Sequence, residues 1–142
     1  MAAVEVNGLK IEYESLGKPS DPPIVLIMGL GMQLVAWPDD FVAMLVARGF
    51  RVIRFDNRDI GLSQHLDHLG VPNIPIVGVK AALGLHVKAP YTLADMAADA
   101  VGVLDALGIA RAHWVGASMG GMILQHLGAA HPQRAKSLAL LM

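Results

Sequence analysis

Residues 114–126 read WVGASMGGMILQH. Trp114 and Val115 belong to a short apolar run, HWVGA (113–117), with the length and content of a strand buried on both faces. Helical character then runs from Met119 to Ala130 and stops at His131-Pro132. Between the two lies Gly116-Ala117-Ser118-Met119-Gly120, a match to G-x-S-x-G, with Gly121 extending it. A serine on so abrupt a turn is held in strained backbone, and flanking glycines let strand and helix approach without a Cβ clash. The helix amino terminus just beyond supplies free N–H groups and positive potential. As five letters the pattern is weak; placed between a buried strand and a helix it points to a nucleophile. The competing reading is a serine that only caps the helix.

Working outward, IVLIM (24–28) and RVIRF (51–55) are two more buried strands, and KSLALLM (136–142) is a fourth. Between the first two, Pro38 suits a first helical turn, Phe41, Met44, Leu45 and Arg48 recur at helical spacing, and Gly49 closes the helix. Thr92 with Asp95 resembles a capping box opening another helix. Leu93, Met96, Ala97, Ala100, Val101, Leu104 and Leu107 form its apolar face, with Asp95, Asp99 and Asp105 expected opposite. Asn7-Gly8, set between alternating runs at 4–6 and 11–14, predicts a hairpin. Prolines and glycines through 64–90 predict a long connecting loop with at most a short helix near 76–86. The order predicts an α/β fold: a mostly parallel sheet with an N-terminal antiparallel hairpin and helices on both faces. Reactive groups in such a sheet sit at the carboxyl ends of the strands, so the loops after residues 28, 55 and 117 carry the chemistry.

After the first strand, Met28-Gly29-Leu30-Gly31 forms a glycine turn that can aim a backbone N–H into the site. Leu30 N–H and Met119 N–H are the candidate donors for the oxygen of a tetrahedral intermediate. After the second, Asp56-Asn57-Arg58-Asp59-Ile60-Gly61-Leu62-Ser63 invites an acid/base reading. The structural reading is preferred: Asp56 and Arg58 hydrogen-bond the loop and shape the pocket floor, and no second carboxylate completes a glycosidase pair. A serine nucleophile also needs an oriented base. Of the histidines at 65, 68, 86, 113, 126 and 131, the first three sit in the long loop and could fold over the site, but nothing in the sequence fixes them there. His113 lies at the far end of the serine's strand, and His126 is about 12 Å along the helix. His65-x-x-His68 lacks a third ligand, so no metal site and no cofactor are expected.

Composition narrows the class. Of 142 residues, 54% are hydrophobic and 16% charged, which excludes disorder and suits doubly buried strands or part of a larger core. A net charge of −1 offers no basic field for nucleic acid. With no cysteine there are no disulfides or thiolate sites. No apolar run reaches membrane-spanning length and the start is not a signal peptide, so a cytoplasmic protein is expected.

LIMGLG (26–31), DNRDIGLS (56–63), APYTLADMAADAVGVLDALGI (89–109) and GASMGG (116–121) stand in the order of the N-terminal half of the α/β-hydrolase fold, which the chain resembles from about residue 4 onward. It is most similar to esterase, cofactor-free haloperoxidase and aclacinomycin-methylesterase-like members. The resemblance implies Ser118 as nucleophile and Leu30 and Met119 as oxyanion donors in a carboxylic-ester hydrolase. Serine at the elbow argues against the dehalogenase and epoxide hydrolase branches, which use aspartate there. Met28 stands where many members carry histidine, which leaves the backbone donor intact. In this family the acid, the histidine and a helical cap follow later, so they are expected from a segment or chain outside these 142 residues. Alone, the chain is expected to hydrolyse little and to find a complementing chain or self-associate. The alternative is a non-catalytic truncated module that associates through the open sheet edge at 136–142.

Overall fold

The computed structural model describes residues 1–70 and 73–141. Its strands are β1 (Ala2–Val6), β2 (Leu9–Leu16), β3 (Pro23–Ile27), β4 (Arg51–Phe55), β5 (Ala112–Ala117) and β6 (Ala135–Leu141). Its α-helices are α1 (Asp39–Ala47), α2 (Ile74–Ala82), α3 (Leu93–Ala106) and α4 (Met119–Ala130). The strands form one sheet in the order β1-β2-β4-β3-β5-β6. β1 and β2 are antiparallel to their neighbours, whereas β4, β3, β5 and β6 run parallel. The β1–β2 turn places Asn7 and Gly8 at φ 51° and 75°, the paired positive values that make Asn-Gly favourable there.

Strand alternation sorts the core into two layers. Val25, Ile27, Ile53, Phe55 and Trp114 pack against Ala100, Leu104, Ile123, Leu124 and Leu127 of α3 and α4. The neighbouring residues Ile24, Leu26 and Val52 turn the other way, onto Trp37 and Val42 beside and within α1. Because every second side chain changes face, a continuous apolar run such as IVLIM feeds both layers at once. The carboxyl ends of β3, β4 and β5 are thereby brought side by side, which sets the loops after them next to one another.

Three local expectations change. In α1 Met44 is exposed and Val42 is buried, so the inward stripe is rotated from the predicted one. The helix expected near 76–86 runs from Ile74 to Ala82 because Asn73 accepts from Ile76 N–H and Pro75 occupies the first turn. Residues 71 and 72 of the predicted 64–90 loop, and Met142 of the predicted last strand, lie outside the described residues. Asp99, expected on the solvated face of its helix, is only 2% exposed. It accepts from Arg58 Nε at 2.6 Å, Arg58 Nη2 at 2.8 Å and Asn7 Nδ2 at 2.9 Å. The hydrogen bonds from Arg58 to Asp99 raise the Arg58 pKa above its ordinary value despite the opposing cost of burial. The predicted capping box is present, with Thr92 and Asp95 each accepting from the other's backbone N–H. The Thr92 amide, then its hydroxyl, hold the Asp95 carboxyl below its usual pKa.

Asp99 thus joins the hairpin turn, the loop after β4 and α3. Asp99→Ala leaves the Arg58 side chain, 11% exposed, without its carboxylate. The expected loss is on the order of 3 kcal/mol, read as a lower urea midpoint. Pairing it with Arg58→Met should recover much of that loss, because the unpaired charge then disappears.

Candidate active site

Ser118 is the single residue between β5 and α4, and its backbone stands at φ 52°, ψ −119°. For a residue with a Cβ this is a strained conformation, costing on the order of 1–3 kcal/mol. The surrounding glycines explain how it is held. A Cβ on Gly116 would overlap the Gly120 carbonyl, and a Cβ on Gly120 would overlap the carbonyl of Ile27 in β3. Gly121, which the sequence pattern also singled out, has room for a Cβ, whose nearest neighbour would be Gly116 O at 3.4 Å. The close approach therefore rests on Gly116 and Gly120.

The hydroxyl of Ser118 is exposed and makes no capping bond to α4, which removes the capping explanation for its presence. Its N–H donates to Leu141 O at 2.8 Å, tying the tip of the turn to the end of β6. The turn after β3 lies directly against it. A Cβ on Gly29 would come within 3.1 Å of Ser118 Cβ and 3.6 Å of Ser118 Oγ. In that turn Met32 N–H donates to Gly29 O, while Leu30 N–H has no acceptor among the described residues. Met119 N–H, at the start of α4, likewise has none there. The arrangement thus brings together an uncommitted serine hydroxyl, the loop after β3 and the start of α4, each of the latter with a backbone donor unpaired among the described residues.

A family model described as the alpha/beta hydrolase fold matches residues 22–142. The chain belongs to the α/β-hydrolase family. Over 129 residues it is 39% identical to the rhodomycin D methylesterase of Streptomyces peucetius, covering 91% of this chain and 37% of that protein. A putative carbamate hydrolase of Variovorax paradoxus is 34% identical over 132 residues, covering 93% of this chain and 42% of its own. Among solved structures, a hydrolase from Pseudomonas aeruginosa superposes with a TM-score of 0.77 at 32% identity, over 98% of this chain and 44% of the other. The enol-lactonase of Burkholderia xenovorans gives 0.74, also at 32% identity, over 96% and 45%. The chain therefore spans about two fifths of the length of the curated relatives it matches.

Within this α/β-hydrolase chain no histidine is hydrogen-bonded to Ser118 among the described residues. His113 pairs with Ser137 Oγ at 2.8 Å, His65 Nε2 lies 3.1 Å from Gly61 O, and His126 is exposed on α4. The loop after β4 holds the residues whose role was expected to be structural. Asp56 accepts from Leu34 N–H at 2.6 Å and from Leu62 N–H at 2.9 Å, so it binds two loops rather than one. Arg58 turns away from its own loop toward Asp99. His65 is joined by Asp59 and Asp67, not by His68, in a partly exposed group whose candidate ligand atoms lie within 4.8 Å of one another. A cleft of about 480 Å³ opens at the opposite, amino ends of the parallel strands, lined by residues including Arg51, Arg111 and Lys136. It is remote from the serine turn, and nothing in its lining resembles a nucleophile with a base.

Proposed function

We propose that this chain supplies the nucleophile and oxyanion donors of a carboxylic-ester hydrolase. The observation that carries the reading is Ser118 itself, held in strained backbone with its hydroxyl bonded to nothing in α4. Strain that persists only because two glycines permit it is a feature of functional turns. In the reaction, Ser118 Oγ attacks the acyl carbon while a histidine takes its proton. Negative charge moves to the carbonyl oxygen, where Leu30 and Met119 N–H groups receive it. The alcohol leaves with the proton returned by the histidine, and water then releases the acid from acyl-Ser118. The histidine, its acidic partner and any cap come from residues outside these 142. The 39% identity to a named methylesterase supports an ester as substrate class.

A fluorophosphonate probe tests this, because it phosphonylates only an activated serine. The protein that contains the whole catalytic set should gain one adduct, on the peptide bearing Ser118. The 142 residues alone should label at least about a hundredfold more slowly, since triad members act as a unit. Rapid labelling of the chain alone would show that it contains a base, and no labelling of the competent protein would sink the hydrolase reading. One observation favours a second reading, a non-catalytic module that associates through its sheet edge: among the described residues β6 has a single partner strand, and Ala139, Leu140 and Leu141 are exposed. That reading predicts concentration-dependent assembly with no serine reactivity in any assembly.

A further inference from the structure

We propose that Asn57 is a positioning residue that aims the Leu30 N–H, an inference that rests on the oxyanion role given to Leu30 above. Asn57 is 3% exposed and lies just past the carboxyl end of β4. Its Nδ2 donates to Met28 O at 3.1 Å, across to the end of the neighbouring strand. Its neighbour Asp56 accepts from Leu34 N–H on the same loop. Two adjacent side chains from one strand end therefore tie down the 28–34 loop at both of its ends. Between the ties Leu30 is 77% exposed, and among the described residues only the Met32-to-Gly29 turn bond braces it from within.

Peptide planarity makes the Asn57 contact directional. Met28 O and Gly29 N–H belong to one rigid plane, so fixing the carbonyl fixes the first step of the chain that leads to Leu30 N–H. The same carbonyl also lies close to α4: a Cβ on Gly120 would come within 3.1 Å of Met28 O. The carbonyl is thus near both the helix that starts at Met119 and the amide of Asn57 that donates to it. Both proposed donors are thereby referred to one carbonyl. Preorganised donors are effective only when they point at the position the oxyanion will occupy, and small misplacements are costly. Asn57 is a better test residue than Asp56, because Asp56 also serves Leu62 and its loss would loosen a second loop.

The chemistry at this position requires a donor. Asn57→Asp keeps the shape and puts a carboxylate oxygen against Met28 O, turning attraction into repulsion. Asn57→Ala removes the tie without adding repulsion. In the ester-hydrolysing protein, with rates normalised to active sites counted by the phosphonate burst, kcat should fall about 10- to 100-fold in both, less than outright loss of a donor costs. KM should change by less than about threefold, because the donors serve the transition state rather than the bound ester. Binding of a boronic acid, which forms a tetrahedral adduct on serine, should weaken in step with kcat/KM. A purely structural role would lower the number of titratable sites and leave kcat per site unchanged, which would overturn the proposal. A second readout does not depend on activity. With ¹⁵N-leucine incorporated, the Leu30 amide should shift and exchange faster in Asn57→Asp. An unmoved Leu30 amide overturns the positioning role whether or not Ser118 reacts, whereas a wild-type protein that does not label at Ser118 removes the hydrolase reading instead.

Discussion

Ser118→Ala in the ester-hydrolysing protein should lower kcat by about 10⁵- to 10⁶-fold while leaving the fold intact. The size follows from cooperativity: without the oxygen nucleophile, the base and its acid have nothing to activate, and only the oxyanion donors and binding still act. Stability should be unchanged within about 0.5 kcal/mol, because the hydroxyl makes no cap bond whose loss would cost anything. Alanine carries the same Cβ, so the strain at φ 52° is neither added nor relieved. Ser118→Gly separates the two contributions further. It should be as inactive as alanine, yet more stable by about 1 kcal/mol, because glycine adopts positive φ without penalty. Retention of more than a tenth of the wild-type rate by Ser118→Ala would refute the assignment. Unfolding of Ser118→Ala would show that the hydroxyl has a structural partner.

The strained turn at Ser118 was legible in the sequence because its cause is local. A reversal between strand and helix leaves no room for Cβ atoms, so glycine has to be written at 116 and 120. The same holds for Asn7-Gly8, whose positive φ values select those residues, and for the Thr92–Asp95 capping box. Asp99 was misread because a charged residue on a helix ordinarily marks the solvated face. Its partners, Arg58 and Asn7, are 41 and 92 residues away in sequence, so no local pattern announces them. Asn57 was missed for the same reason, since its acceptor is a backbone carbonyl 29 residues earlier and any residue type could have offered one. The bounds of α2 were hidden by its β-branched residues and internal glycine, although Asn73 and Pro75 carried the start signal. A base for Ser118 is a tertiary contact by nature, and none of the six histidines supplies one among the described residues.

The geometry also separates two glycines that the pattern G-x-S-x-G-G treats alike. Gly120→Ala should cost about 4 kcal/mol or more, at the far end of what single substitutions do. Its Cβ would overlap Ile27 O, and a Cβ fixed on the helix backbone and a strand carbonyl cannot rotate away from each other. Overpacking among side chains typically costs 1–3 kcal/mol because rotamers adjust, and here that escape is absent. Relief requires α4 to move off β3, which would carry Met119 away from the turn that holds Leu30. Gly121→Ala is the matched control. The added Cβ meets Gly116 O at 3.4 Å and Leu140 Cβ at 3.6 Å, ordinary contacts. Alanine is also the better helix former, by roughly 0.5–1 kcal/mol, so this variant should match or slightly exceed the wild type. Urea unfolding of the pair gives the comparison directly. Equal midpoints for the two variants would mean that α4 does not press on β3 as described, and the strained serine would lose the constraint that holds it.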